Sequence, residues 1–325
     1  MSKILEVQDL CKSFVVKKRL FGENDVVSAV NHVSFSLEEG EVLGIVGESG
    51  CGKSTVARLL LHSIRPDSGK MTLCGKEYDM VHAGQQDIRD FRKNMQMVFQ
   101  NPYSSLNPKM NVLQNIAFGL TANHIGQEEA TQRACKYLDA VGLQKSFINK
   151  YPNSLSGGQR QRVAVARALA MEPRIILADE PVSALDKSVQ AQVLNLFQDL
   201  RDAFGISVIF ISHDLSVVEY MSHHIAVLYL GEVVEYSTAE ELYENPRHPY
   251  TKELLHSVPK ISGSARLSAA DKEPPIELPS PIHPPKGCRF HPRCPYCTER
   301  CSKEEPLPAD IGGGHIVKCH RCGAF

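Results

Sequence analysis

The sequence predicts an α/β protein built on a mostly parallel sheet. Three observations lead there. Short, continuous apolar runs at residues 42–46, 175–178 and 208–211 read as buried strands. Helical patterns separate them, as parallel crossover connections require. The first strand runs into Gly47-Glu48-Ser49-Gly50-Cys51-Gly52-Lys53-Ser54-Thr55, the spacing G-x-x-x-x-G-K-S, with a helical stretch at residues 55–62 behind it.

That loop carries the strongest chemical signal in the chain. Its glycines let the backbone curl so that N–H groups point inward at phosphate oxygens. The helix start adds its dipole and its free N–H groups. Lys53 can reach β- and γ-phosphates, and the Ser54 hydroxyl can ligate Mg²⁺. A chain of this length matches the pattern by chance on the order of once in a hundred.

The bulk numbers fit a globular protein. Apolar residues make up 42% and charged residues 22% of 325 residues. Lysine and arginine number 36 against 37 acidic residues, so no general attraction to nucleic acid is expected. The N-terminus lacks the apolar core of a signal peptide, and runs such as residues 225–230 are far too short to span a bilayer. A cytosolic protein, free to dock on a membrane protein, is the expectation. Of ten cysteines, Cys11, Cys51, Cys74 and Cys135 are scattered and six crowd the C-terminal tail, a pattern that in a reducing compartment favours metal over disulfides.

Taken in order, residues 4–10 alternate loosely and predict an edge strand; residues 17–26 predict an exposed hairpin or loop. Residues 33–37 alternate at period two, as a strand with one buried face does. Asp67-Ser68-Gly69 predicts a turn, residues 70–73 a strand and Gly75-Lys76 its return. Residues 95–99 predict a strand ending at Gln100-Asn101-Pro102, and residues 103–108 are turn-rich. From about 111 to 150 the pattern is helical, with Ala130, Ala134, Tyr137, Leu138 and Val141 on one stripe. Leu155-Ser156-Gly157-Gly158-Gln159 opens a further helix, and residues 187–204 form another. Residues 224–236 predict a closing hairpin and residues 238–257 two short helices. A Pro- and Ser-rich linker over 258–287 leads into the cysteine segment.

Asp179 and Glu180 end a buried strand, where α/β sheets place ligands. Asp179 can hold Mg²⁺ through water and Glu180 can polarise an attacking water. His213 ends the next strand and could contact a γ-phosphate; Gln100 ends another and could orient water or Mg²⁺.

The phosphate loop, Gln100, Leu155-Ser156-Gly157-Gly158-Gln159, Asp179-Glu180, Ser183-Ala184-Leu185-Asp186 and His213 stand in the order of an ABC transporter ATPase, which residues 4–237 resemble. The resemblance implies a phosphate-loop NTPase core, an N-terminal antiparallel β subdomain and a helical subdomain at about 101–160, together spanning 1–240. Residues 241–325 would be a C-terminal extension. It implies that Phe14 stacks on adenine and that Gly47, Ser49, Gly50, Cys51, Gly52, Lys53, Ser54 and Thr55 form the ATP loop. Ser54, Gln100 and Asp179 would serve Mg²⁺, with Glu180 as catalytic base and His213 as γ-phosphate contact. Gln100 and the loop after it would sense the membrane subunit. Ser156, Gly157, Gly158 and Gln159 would face the γ-phosphate on a partner ATPase, and Asp186 would lie at the dimer seam.

The runs at 47–55, 98–108 and 245–251 resemble the oligopeptide/dipeptide importer subfamily, and the insert around Leu20-Phe21-Gly22 its second, F-type ATPase. That implies a D-type ATPase partner, two integral membrane permeases, an extracytoplasmic substrate-binding protein acting indirectly, and a place on the cytoplasmic face of the inner membrane. Nickel and glutathione importers share much of the pattern, and a soluble ABC ATPase is the distant alternative. The tail run 287–295 is similar to one that in this subfamily can hold a [4Fe–4S] cluster; carried over, its ligands would be Cys288, Cys294, Cys301 and Cys319. Cys294-x-x-Cys297 and Cys319-x-x-Cys322 keep Zn²⁺ open as the alternative, and the tail permits redox control of the motor.

Overall fold

Every residue of Val42–Val46, Ile175–Asp179 and Ser207–Ile211 is buried in the computed structural model, which describes residues 2–17, 24–257 and 279–323. Apolar runs without alternation need cover on both faces, and the centre of a sheet provides it. In chain order the strands are β1 (Lys3–Lys17), β2 (Asp25–Glu38), β3 (Val42–Val46), β4 (Ser68–Leu73), β5 (Lys76–Tyr78), β6 (Met95–Val98), β7 (Ile175–Asp179), β8 (Ser207–Ile211), β9 (His224–Tyr229), β10 (Glu232–Thr238), β11 (Ala309–Asp310) and β12 (Ile316–Val317). Eight form one mixed sheet in the order β11-β12-β10-β9-β3-β8-β7-β6. From β9 to β6 all pairs are parallel; β10, β12 and β11 continue the sheet antiparallel.

A second, antiparallel sheet has the order β2-β1-β4-β5. Helices Val112–Ala122 and Gln127–Ala140 pack on helix Gly157–Ala170, and the stripe Ala130, Ala134, Tyr137, Leu138 and Val141 is buried between them. Helix Lys187–Phe204 has the predicted bounds and closes on Gly205 in the left-handed conformation.

Two expectations are corrected. Residues 4–10 are not an edge strand: β1 lies between β2 and β4. Register shifts beside Asp9, whose φ is 49°, break the alternation that made the segment look peripheral. The turn-rich stretch after Asn101 contains a one-turn helix, Pro102–Ser105, in which the Tyr103 N–H donates to the Asn101 side chain at 2.9 Å and Pro102 has no N–H to satisfy. Glu235 and Tyr236 of β10 pair with Val317 and Ile316 of β12, so the C-terminal segment extends the main sheet. Charges anchor it there: Lys318 donates to Glu232 at 2.8 Å, and fully buried Glu235 accepts from the His315 ring at 2.7 Å. The Leu20-Phe21-Gly22 insert and residues 258–278 of the linker lie outside the described residues.

Candidate active site

The loop after β3 enters helix Lys53–Leu60 through Gly52, whose φ is 108°. A Cβ there would stand 2.4 Å from the Ala29 carbonyl oxygen, so both conformation and space demand glycine. The helix start has no side-chain cap and no acidic residue in its first turn. Its N–H groups and dipole are therefore left for an anion. A cavity of about 330 Å³ opens over it, lined by Ser49, Gly50, Gly52, Lys53, Ser54 and Thr55 together with Gln100 and Glu180. The Lys53 ammonium is buried and donates to the carbonyls of Gly47 at 2.7 Å and Glu48 at 2.9 Å.

Three neighbouring parallel strands deliver polar groups to one point. Gln100 follows β6, Glu180 follows β7 and His213 follows β8. Gln100 Nε2 donates to Glu180 Oε2 at 2.8 Å, and His213 Nδ1 lies 3.1 Å from Glu180 Oε1. This is the C-terminal edge of the sheet, the usual ligand side of such folds. Glu180 adopts φ 46°, a region that non-glycine residues seldom occupy. Its N–H donates to the Ile211 carbonyl at 2.9 Å and its carbonyl accepts from Ser183 Oγ at 3.0 Å, which holds the strained backbone in place.

Asp179 lies just behind. It is 8% exposed, and its Oδ1 has no hydrogen-bond partner among the described residues. Burial first, then the Glu180 carboxylate, push its pKa up; the Ser54 hydroxyl and Lys53 ammonium pull it back. An orphaned, buried carboxylate oxygen beside a hydroxyl fits a hard cation such as Mg²⁺.

Other predicted residues lie outside the cavity lining. Phe14 is exposed, with the Lys12 ammonium 5.6 Å from its ring centre, although Val27, its register partner, lines the cavity. Gly47 and Asp179 sit behind the lining, and Cys51 faces the core, where burial raises its thiol pKa. Ser156 and Gln159 form a reciprocal cap at the start of helix Gly157–Ala170: Ser156 Oγ accepts from the Gln159 N–H at 3.3 Å and Gln159 Oε1 from the Ser156 N–H at 3.0 Å. A Cβ on Gly158 would stand 2.6 Å from Val189 Cγ1, so this run packs tightly against the segment holding exposed Asp186. None of Ser156, Gly157, Gly158, Gln159 or Asp186 lines the cavity.

Sequence reasoning missed the far wall, Val27, Ser28, Ala29 and Gly231, because those residues lie in β2 and in the turn between β9 and β10, with no motif of their own. It also missed a groove of about 300 Å³ where exposed Phe99 and Phe118 meet Met97, Arg167 and Met171.

In the tail, Cys288, Cys294, Cys301 and Cys319 line one narrow pocket with His248, His291 and His320; Cys297 and Cys322 do not. Burial, backed by the other three thiols, pushes the Cys288 pKa up to about 12. Among the described residues no three His, Cys, Asp or Glu side chains gather closely enough to hold a single metal ion.

Comparison with known proteins agrees with this geometry. A family model described as ABC transporter matches residues 30–183, and one described as oligopeptide/dipeptide transporter, C-terminal region, matches residues 234–301. The chain is 45% identical over 326 residues to the di/tripeptide transport ATP-binding protein DppF of Pseudomonas aeruginosa (strain UCBPP-PA14), covering 100% of this chain and 99% of that one. It is also 45% identical over 320 residues to the oligopeptide transport ATP-binding protein AppF of Bacillus subtilis (strain 168), covering 98% and 97%. Among solved structures, the ATP-binding cassette MJ0796 in a post-hydrolysis dimer bound to ADP and Pi superposes with a TM-score of 0.62 at 30% identity, over 72% of this chain and 98% of the cassette. The chain therefore belongs to the ABC transporter family of ATP-hydrolysing subunits, in the branch that carries the oligopeptide/dipeptide transporter C-terminal region.

Proposed function

We propose that this chain is the ATP-driven motor of an importer for di- and oligopeptides. It works on the cytoplasmic face of the inner membrane beside a D-type ATPase, on two permease subunits supplied by an extracytoplasmic binding protein. Among the described residues no helix is long and apolar enough to cross a membrane, so attachment would run through the permeases. The observation that carries the motor reading is the meeting of Gln100, Glu180 and His213 over the phosphate loop. The peptide cargo rests on the names of the full-length relatives. We assign residues 1–240 to the ATPase domain, with its helical part at about 101–160, and 241–325 to the extension.

On ATP binding, Lys53 exchanges the loop carbonyls for β- and γ-phosphate oxygens, and the helix N-terminus receives the remaining charge. Phe14, opposite cavity-lining Val27, supplies a ring for adenine. Ser54, Asp179 and Gln100 would hold Mg²⁺, which would neutralise developing phosphate charge. Glu180 takes the proton of the attacking water; Gln100 and His213 fix its carboxylate. The groove beside Phe99 and Phe118 offers the permease an apolar seat near Gln100.

The test is uptake in cells lacking this gene, comparing labelled di- and oligopeptides with Ni²⁺. Peptide uptake is expected to disappear and to return with wild type but not with Lys53→Ala. Loss of Ni²⁺ uptake alone would overturn the peptide cargo.

The cysteine pocket is assigned to a [4Fe–4S] cluster on Cys288, Cys294, Cys301 and Cys319. Support comes from the shared lining of these four thiols and from the position of Cys297 and Cys322 outside it. A single tetrahedral Zn²⁺ would draw its thiolates to within about 3.8 Å of one another. A cubane spreads its four thiolates over separate irons, and it would cross-link the tail. Anaerobically purified chain is expected to carry about four irons with matching sulfide, lost in Cys294→Ser. Stoichiometric zinc without iron would overturn the assignment.

A further inference from the structure

The tail reaches back to the nucleotide loop. Arg293 places its guanidinium against both carboxylate oxygens of Glu48, at 2.8 and 2.9 Å, and against Glu253 at 2.5 Å. Glu48 is the residue that follows the first glycine of the phosphate loop. The Arg293 side chain is only 8% exposed and packs beside the rings of Tyr229, Tyr250 and Phe290, 5.6 to 6.0 Å from their centres. Fully buried Tyr250 accepts the Glu48 N–H at 2.9 Å through its hydroxyl. Lys53 holds the Glu48 carbonyl at 2.9 Å. All three polar handles of Glu48 are therefore fixed, two of them by residues beyond position 240.

We propose that Arg293 is a positioning residue for ATP binding, acting through Glu48. Two physical effects operate. A glycine-rich loop has much freedom to lose on binding phosphate, and a clamp made in the folded chain removes part of that freedom beforehand. A forked guanidinium also neutralises and directs the Glu48 carboxylate, which would otherwise leave an unpaired negative charge on the loop that receives the polyphosphate. Lysine could supply the charge but not the fork. Cys294, the next residue, lines the cysteine pocket, so the clamp adjoins that pocket in the chain.

The inference rests on ATP binding at this loop, which Lys53→Ala tests by itself: loss of MgATP binding in that variant leaves the loop assignment standing whatever Arg293 does. For the clamp, MgATP binding to the full chain and KM and kcat of the assembled transporter are measured in Arg293→Met, Glu48→Gln and the double variant. Arg293→Met is expected to raise the ATP dissociation constant and KM about tenfold with kcat little changed. Adding Glu48→Gln is expected to recover much of the loss, because the stranded carboxylate goes with it. That suppression separates a role through Glu48 from general damage to the tail. Unchanged affinity in Arg293→Met, or a double variant at least as weak as Arg293→Met, overturns the proposal. If Arg293→Met does not fold, Arg293→Lys is read in its place: a smaller rise supports the clamp, and wild-type affinity overturns it.

Discussion

Glu180→Gln in the assembled transporter is expected to leave MgATP binding as in wild type and to slow turnover at this chain's own pocket about 10²–10⁴-fold, the usual worth of a positioned general base. The substitution keeps the shape of the site. Glutamine can still accept from Gln100 Nε2, now 2.8 Å from the carboxylate, and its amide can still face His213 Nδ1 across 3.1 Å. What disappears is the atom able to take a proton from water. Binding has no reason to suffer, because Lys53, Ser54 and the uncapped helix start are untouched. Asp179 should ionise more readily, since the Glu180 charge is among the causes holding its pKa up. The chain should therefore accumulate in an ATP-bound, closed dimer. Steady-state ATPase rates with bound-nucleotide measurements check this, and near-normal turnover would remove Glu180 from the role of base.

The polar edge beside the phosphate loop was legible because its parts sit at strand ends. A buried apolar strand followed by a polar pair can only present that pair at the sheet edge, so the placement of Asp179-Glu180 and His213 was readable from residues 175–180 and 208–213, while their roles came from the resemblance. The close meeting of Gln100, Glu180 and His213 depends on β6, β7 and β8 being adjacent, which no single segment states. The phosphate loop was legible for another reason: its glycines answer local geometry, as the Gly52 clash with Ala29 makes concrete.

Long-range pairing was much less legible. The bulge at Asp9 disguised an interior strand as an edge, since alternation is read from neighbours along the chain and a bulge interrupts it. The short strands β11 and β12 have no pattern long enough to detect, yet they join the tail to the main sheet. Arg293 and Glu48 are 245 positions apart in sequence, and neither carries any mark of the other. The cysteines announced a pocket through their clustering, and the four that the resemblance singled out are the four that line it, with Cys297 and Cys322 outside.

Gly157→Asp should act on a pocket that this chain does not own. The Ser156–Gln159 run lies outside the cavity formed by its own phosphate loop, so its helix start is available to a second ATPase. Aspartate in a first helical turn is locally favourable, and a Cβ at Gly157 meets Leu185 Cδ2 at 3.3 Å, a contact a side-chain end can yield to. The chain should fold and bind MgATP with its ordinary affinity. The new carboxylate would instead occupy the anion site offered to the partner's γ-phosphate and repel it. In a transporter where Glu180→Gln silences this chain's own pocket, adding Gly157→Asp should cut the remaining turnover about a hundredfold, comparable to removing a transition-state hydrogen-bond donor. If the isolated full chain loses ATP affinity in step with turnover, the run acts within its own cavity and the two-chain site is wrong. If turnover is unchanged, Gly157 does not face a phosphate. Loss of turnover with intact ATP affinity is the result that only a shared site produces, because no residue of the altered run touches the pocket in which affinity is measured.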